Sequence, residues 1–311
     1  MDAETEHAAP ALLRRANHAR GNMIKLFASD LDGTLLGAFH NVDAPVRAAV
    51  DEVVKSGAHF AIATGRSMRS NCDFGFDGLD VEGIGANGSV IYGRDGTVLK
   101  HFTMDPVALE EMLRAFPQVC FECVGVTHTY VTGSMERQQQ NFRVDGPFRR
   151  IAMRGMRARR ARTLETCLFD QPVDEVMKHH IGKVNTRVAD PGLNAELKAF
   201  IAERSDVLVN APFNPAMFEI SDVGINKGVG VAWLARYLGF SEDEVAVYGD
   251  GGNDVTMLER FGHAYATRCA CAEAKAAALE VVGSNVLYAV PRHMVRTVRA
   301  QQSAPAYTRI D

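Results

Sequence analysis

Two aspartates one residue apart close an apolar run: Met23-Ile24-Lys25-Leu26-Phe27 leads into Ala28-Ser29-Asp30-Leu31-Asp32-Gly33-Thr34-Leu35-Leu36. Like charges at the mouth of a buried strand repel each other and resist losing water, so the pair needs compensation from elsewhere in the chain. Three further stretches offer it. Thr64-Gly65-Arg66 ends a second apolar run and Gly249-Asp250-Gly251-Gly252-Asn253-Asp254 ends a third, while Lys227 stands at an expected helix start in Gly224-Ile225-Asn226-Lys227-Gly228. Asp30, Asp32 and Asp250 form a set of hard oxygen donors that suits Mg2+ better than a softer metal. Thr64, loop amides and Lys227 supply donors and positive charge for a phosphoryl group, whose transfer depends mainly on alignment and electrostatic stabilisation. One carboxylate of such a pair can attack phosphorus, while the other protonates the leaving oxygen and then activates water.

Such residues act together only if rigid elements bring them to one place. The pattern predicts a strand over 24–30, a helix over 43–56 opening at Asp43 with Pro45 in its first turn, and a strand over 59–66. The segments VEGIGANGSVIY and TVLKHF then predict a hairpin about Gly93–Gly96. From 105 the texture changes: helix 106–116, strand 118–126, a short strand at Tyr130–Thr132, a polar helix after Gly133, strand 183–188, helix 192–204, and strands 207–211 and 217–221. Helix 227–238, a strand from 244 into the Gly-Asp loop, helix 254–260 and a last strand near Val286-Leu287-Tyr288 restore the alternation. Strands alternating with helices imply an α/β fold with a doubly wound parallel sheet, whose active site lies outside the carboxyl ends of the strands. The expected organisation is a core over 23–104 and 215–291, an α+β cap over 105–214, and a C-terminal tail over 292–311. Residues 1–22 are expected to be a disordered extension, or to precede a true start at Met23.

The four stretches DLDGTLL, ATGR, NKG and GDGGND together resemble the motifs of the haloacid dehalogenase (HAD) superfamily, across both core segments. An insertion between the second and third motifs, with ANGS at 86–89 and MFEIS…GINKG at 217–228, is similar to the Cof-type phosphatases with a type IIB cap. The resemblance implies a HAD-like Rossmannoid core, Asp30 as nucleophile and Mg2+ ligand, and Asp32 as general acid/base that also offers its backbone carbonyl to the metal. It further implies that Thr64, Gly65, Lys227 and Asn253 bind the phosphoryl oxygens, that Asp250 completes the metal site, and that Asp254 supports it through water or Lys227. An aspartate at position 32 favours a phosphatase or mutase over the ATPase branch. The expected function is Mg2+-dependent hydrolysis of a small phosphorylated metabolite, such as a sugar phosphate, through an aspartyl-phosphate. A phosphomutase of the same superfamily and a non-catalytic phosphometabolite-binding protein remain alternatives. The likeness weakens after the fourth motif, where Ala266-Thr267-Arg268-Cys269-Ala270-Cys271 replaces the usual small-residue loop containing Gly-Asn.

Other features point elsewhere and carry less. The net charge of -4 implies no nucleic-acid partner, and no apolar run approaches the ~18 residues of a membrane helix, so a cytoplasmic location is expected. Cys120-Phe121-Glu122-Cys123 has CxxC spacing without a second pair at zinc-ligand distance, so the six cysteines read as reduced thiols. Gly83-Ile84-Gly85-Ala86-Asn87-Gly88 has dinucleotide-site spacing, but a strand, not a helix, is expected to follow. His179 and His180, adjacent in an expected strand, would point to opposite faces and make no metal pair. Arg66 is expected either to pair with a carboxylate or to contact phosphate. The arginine-rich stretch 148–163 reads as a solvated cap surface, with a second anion contact as the alternative.

Overall fold

A computed structural model describes residues 23–38, 40–141, 166–211 and 217–303; the arginine-rich stretch lies outside them. The strands are β1 (Leu26–Ser29), β2 (His59–Ala63), β3 (Glu82–Gly85), β4 (Val90–Tyr92), β5 (Val98–His101), β6 (Glu122–Val124), β7 (Thr129–Val131), β8 (Cys167–Leu168), β9 (Lys183–Arg187), β10 (Leu208–Asn210), β11 (Met217–Asp222), β12 (Val245–Gly249), β13 (His263–Thr267) and β14 (Glu280–Gly283). They form an eight-stranded sheet in the order β14-β13-β12-β1-β2-β3-β4-β5 and a six-stranded sheet in the order β10-β11-β9-β6-β7-β8.

In the first sheet β1 pairs in parallel with both β2 and β12. The chain runs outward from β1 to β2 and β3 on one side, and from β12 to β13 and β14 on the other. That reversal is the switch point of a doubly wound sheet, where a crevice opens beyond the carboxyl ends of the strands. The central strands LFAS and VAVYG are buried at every residue, as parallel strands covered on both faces must be. Helix Ala44–Lys55 starts where the Asp43 carboxylate accepts a hydrogen bond from the Val46 N–H at 3.2 Å, with Pro45 in its first turn. It buries Val46, Ala49, Val50 and Val53, one apolar stripe.

The unit carrying this sheet runs to Lys100 and resumes at Asn226; His101–Ile225 form the second unit. The insertion therefore extends to 225 rather than the expected 214, because β11 pairs with β9 and β10 in the six-stranded sheet. One face of that sheet, with Val184, Phe218, Ile220 and Cys123, packs against Leu109, Met112 and Leu113 of helix Pro106–Ala115 and Leu197 and Ile201 of helix Pro191–Ala202.

Other differences have local causes. The expected hairpin about Gly93–Gly96 is present, β4 lying beside β5 with the Gly93 N–H donating to the Thr97 carbonyl at 2.9 Å, but VEGIGANGSVIY is not one strand: within it β3 pairs antiparallel with β4 about Ala86-Asn87-Gly88, all at positive φ. Residues 285–287 form a short turn with Val286 and Leu287 exposed, and the outer strands are β13 and β14 instead. Residues beyond 291 are not a tail: Ala289–Ser303 is a helix burying Val290, Met294 and Val298 and packing on helix 44–55. Its Gln301 brackets Ile24, accepting from its N–H at 2.6 Å and donating to its carbonyl at 3.2 Å.

Candidate active site

Asp30 follows the last residue of β1, and its N–H donates to the Tyr248 carbonyl of β12 at 3.0 Å. Asp250 follows the last residue of β12, so strand pairing alone brings the two aspartates to the same sheet edge. Lys227 is the first residue of helix Lys227–Tyr237, which is capped by the Asn226 side chain accepting from the Val229 N–H at 3.0 Å. Its ammonium is fully buried and donates at 2.6 Å to both Asp30 Oδ1 and Asp254 Oδ1. The other Asp254 oxygen accepts from the Asp250 and Gly251 N–H groups, each at 2.9 Å, which locks the Gly-Asp loop around it.

One carboxylate oxygen from each of Asp30, Asp250 and Asp254 lies within 4.8 Å of the others. Burial lifts the Asp30 carboxyl to about 8 against the pull of Lys227, with Asp254 and Asp250 adding to the rise. Burial likewise lifts Asp250 to about 6, opposed by a 2.5 Å hydrogen bond from the Thr34 hydroxyl. Burial also works against the charge of Lys227, but Asp254 and Asp30 overcome it and hold the ammonium above the usual lysine range. With all three carboxylates ionised, one ammonium leaves two negative charges, the deficit a divalent cation neutralises, and the all-oxygen donor set fits Mg2+.

The turn Leu31–Leu35 shapes the floor of this cluster. It closes with the Leu35 N–H on the Asp30 carbonyl at 3.2 Å and the Leu36 N–H on the Leu31 carbonyl at 2.9 Å. Gly33 sits at φ +82, where a Cβ would lie 2.2 Å from Asp250 Oδ2. Gly33→Ala is therefore expected to displace the Asp250 carboxylate and raise the Mg2+ concentration for half-maximal activity about 10–100-fold. A Mg2+ titration of turnover checks this, and an unchanged midpoint would refute it.

The remaining predicted residues divide. Thr64 is buried, its hydroxyl accepting from the Arg66 N–H at 3.1 Å. Gly65 is packed so closely that a Cβ there would stand 2.8 Å from Asn87 Oδ1 and 3.1 Å from Asn253 Nδ2. Asn253 donates to Asn87 Oδ1 at 3.0 Å, so Asn87 ties the second and fourth motifs together. Its motif ANGS signals only a turn, and the tie depends on the positive φ of Asn87. The Asp32 carboxylate is held by other partners: Arg66 Nε donates to its Oδ2 at 2.6 Å, Arg66 Nη2 bonds its Oδ1, and His40 Nδ1 lies 3.1 Å from Oδ1. Of the two expectations for Arg66, the structure has the carboxylate pair.

The divergent stretch after the fourth motif also reaches this region: the Thr267 hydroxyl donates to the Gly33 carbonyl at 3.2 Å and the Cys271 N–H to the Asp250 carbonyl at 2.9 Å. All six cysteines are free thiols, and burial pushes the Cys120 thiol up to about 11 and Cys123 higher still. His179 and His180 lie in a turn rather than a strand, and the His179 ring stacks on Tyr130 with centroids 4.0 Å apart. No described helix is long and apolar enough to cross a membrane.

Comparison with known proteins gives a consistent family. Residues 27–292 match the haloacid dehalogenase-like hydrolase family. The chain is 25% identical over 305 residues to an HMP-PP phosphatase of Serratia proteamaculans, covering 89% of this chain and 97% of that protein. It is 26% identical over 249 residues to the chloroplastic endoribonuclease YBEY of Arabidopsis thaliana, covering 74% of this chain but only 39% of that protein. A haloacid dehalogenase-like hydrolase from Bacillus subtilis shares the fold with a TM-score of 0.73 at 23% identity, over 87% of this chain and 99% of that one.

Proposed function

Because the chain belongs to the haloacid dehalogenase-like hydrolase family, we propose that it is a Mg2+-dependent phosphatase that hydrolyses small phosphate monoesters with Asp30 as nucleophile. The observation that carries this reading is Asp30 itself: a carboxylate at the end of a central strand, 6% exposed, with Lys227 at 2.6 Å and Asp250 and Asp254 beside it. The relative named HMP-PP phosphatase supports a phosphate ester as substrate.

Asp30 and Asp250, with the Asp32 backbone carbonyl, would hold Mg2+, and Asp254 would orient them through Lys227 and the loop amides. When bound, the cation polarises the phosphoryl group and offsets its charge. An Asp30 oxygen forms a bond to phosphorus as the bond to the leaving oxygen breaks, and Asp32 gives its proton to that oxygen. Asp32, now ionised, takes a proton from water; the resulting hydroxide bonds phosphorus, the Asp30–phosphorus bond breaks, and inorganic phosphate leaves. Thr64, Gly65 and Asn253 would orient the phosphoryl oxygens, and Lys227 keeps Asp30 aligned while offsetting its charge.

The test is a panel of sugar phosphates and related monoesters, assayed for released phosphate with Mg2+ and with EDTA. Release that requires Mg2+ is expected; saturable binding without release from any ester would overturn the reading.

Stability should report the same cluster. Asp30 and Asp250 titrate near 8 and 6 in the fold, against 3.8 for a free carboxyl. Between those values the folded state holds more protons than the unfolded one, so the metal-free fold loses stability as pH rises from about 4 to 8. In EDTA, melting temperature is expected to fall by about 5 °C or more over that range. Added Mg2+ should raise it more at pH 8 than at pH 5, and a metal effect independent of pH would contradict this.

A further inference from the structure

Phe74 stands out because its backbone is left-handed, at φ +68 and ψ +13, a conformation that bulky residues rarely adopt. Its surroundings over-determine it. The Asp73 carboxylate accepts from the Arg69 N–H at 2.7 Å and the Ser70 N–H at 3.3 Å, and Arg47 bonds the Gly75 carbonyl and, at 2.7 Å, that of Asp77. Strain held in this way persists only where the surrounding structure enforces it. Its consequence is visible one contact away: the Phe74 ring lies against the Arg66 guanidinium, 5.1 Å from Cζ to the ring centroid.

Arg66 is fixed on its other sides too. Its N–H donates to the Thr64 hydroxyl at 3.1 Å and its carbonyl accepts from the Ala86 N–H at 2.8 Å. Two guanidinium nitrogens fork onto the two oxygens of Asp32, while the third, Nη1, is buried with no hydrogen-bond partner among the described residues. Asp32 itself is half exposed, its side chain 43% accessible, and it belongs to a turn whose φ and ψ leave the regular range. Among the described residues His40 Nδ1 adds one contact, at 3.1 Å from Oδ1, whereas the two-point fork sets both position and plane of a carboxylate.

We infer that Arg66, braced by the strained Phe74, is the positioning residue that aims the proton-transferring carboxylate of Asp32. This rests on the proposed phosphatase chemistry. Phe74 does no chemistry; its ring lies over the guanidinium that forms the fork. Lysine at 66 would keep the charge but lose both the fork and the flat face against Phe74.

A leaving-group series separates this role from a structural one. The kcat/KM values for p-nitrophenyl, 4-chlorophenyl, phenyl and 4-methylphenyl phosphates report bond cleavage to the leaving oxygen, before the hydrolysis step common to all four. Poor leaving groups need the proton most. Arg66→Gln and Arg66→Lys are expected to lower kcat/KM for phenyl phosphate about 10–100-fold more than for p-nitrophenyl phosphate, part of the ~10²–10⁴-fold a positioned acid contributes. Phe74→Gly adopts the positive φ without strain and should show the same bias, about 10-fold, in a chain that still melts cooperatively. Asp32→Asn supplies the reference. If it leaves the series as flat as wild type, the acid role of Asp32 fails and this inference with it. If Asp32→Asn steepens the series but the Arg66 and Phe74 variants reduce all four esters equally, the positioning role alone is overturned.

Discussion

Asp30→Asn is expected to abolish turnover, lowering kcat by about 10⁴-fold or more, without destabilising the chain. The amide matches the carboxylate in shape and its oxygen can still accept from Lys227, 2.6 Å away in the wild type. It cannot form or release a bond to phosphorus as a carboxylate does. The expected stability is the less obvious half. Burial outweighs Lys227 at this site, lifting the carboxyl to about 8, so an ionised Asp30 is a cost to the metal-free fold at neutral pH and above. A neutral amide removes that cost. At pH 8 in EDTA, Asp30→Asn should unfold at a denaturant concentration no lower than wild type, and the fall of stability with pH should flatten. Turnover of p-nitrophenyl phosphate above a tenth of wild type would exclude Asp30 as nucleophile, whatever the stability result.

How far these residues were legible in advance depends on what places them. Asp30, Asp250 and Lys227 stand at the ends of apolar or periodic runs, and parallel pairing of β1 with β12 brings such ends together whatever the loops do. The direction of the Asp32 side chain was not legible, because it depends on a turn with Gly33 at φ +82 and on Arg66, thirty-four residues away. Asn87 and Phe74 were missed for a related reason: each does its work from a positive φ that no side-chain pattern reports. In the fold, HAYAT mixes His and Tyr with small residues, yet all five positions of β13 are buried. The apolar Val286 and Leu287 looked more strand-like but are exposed. The end of the insertion moved to Ile225 because membership of β11 in a sheet depends on its partners, and pairing over long separations leaves no local mark.

Lys227→Met should be the most damaging single change to the fold. The ammonium is completely buried between Asp30 and Asp254, at 2.6 Å from each, and Asp254 is itself inaccessible to solvent. Methionine fills similar volume, so the loss is electrostatic: two buried carboxylates remain with no cation between them. Removing one partner of a buried ion pair costs about 3–5 kcal/mol, read as a lower urea midpoint in EDTA. The defect should shrink at low pH, where Asp30, already raised by burial, is neutral, and partly recover with Mg2+. Turnover should fall by about 10²–10³-fold or more, the scale of losing a preorganised charge beside the reacting group. The double variant Lys227→Met/Asp254→Asn distinguishes loss of this pair from general disruption. If the single change hurts because Asp254 is stranded, neutralising Asp254 should restore part of the stability, giving a coupling energy well outside the ~0.5 kcal/mol of independent sites. Activity should not return with it, since Asp30 still lacks its cation. Additive losses of stability would show that Lys227 does not hold this cluster together.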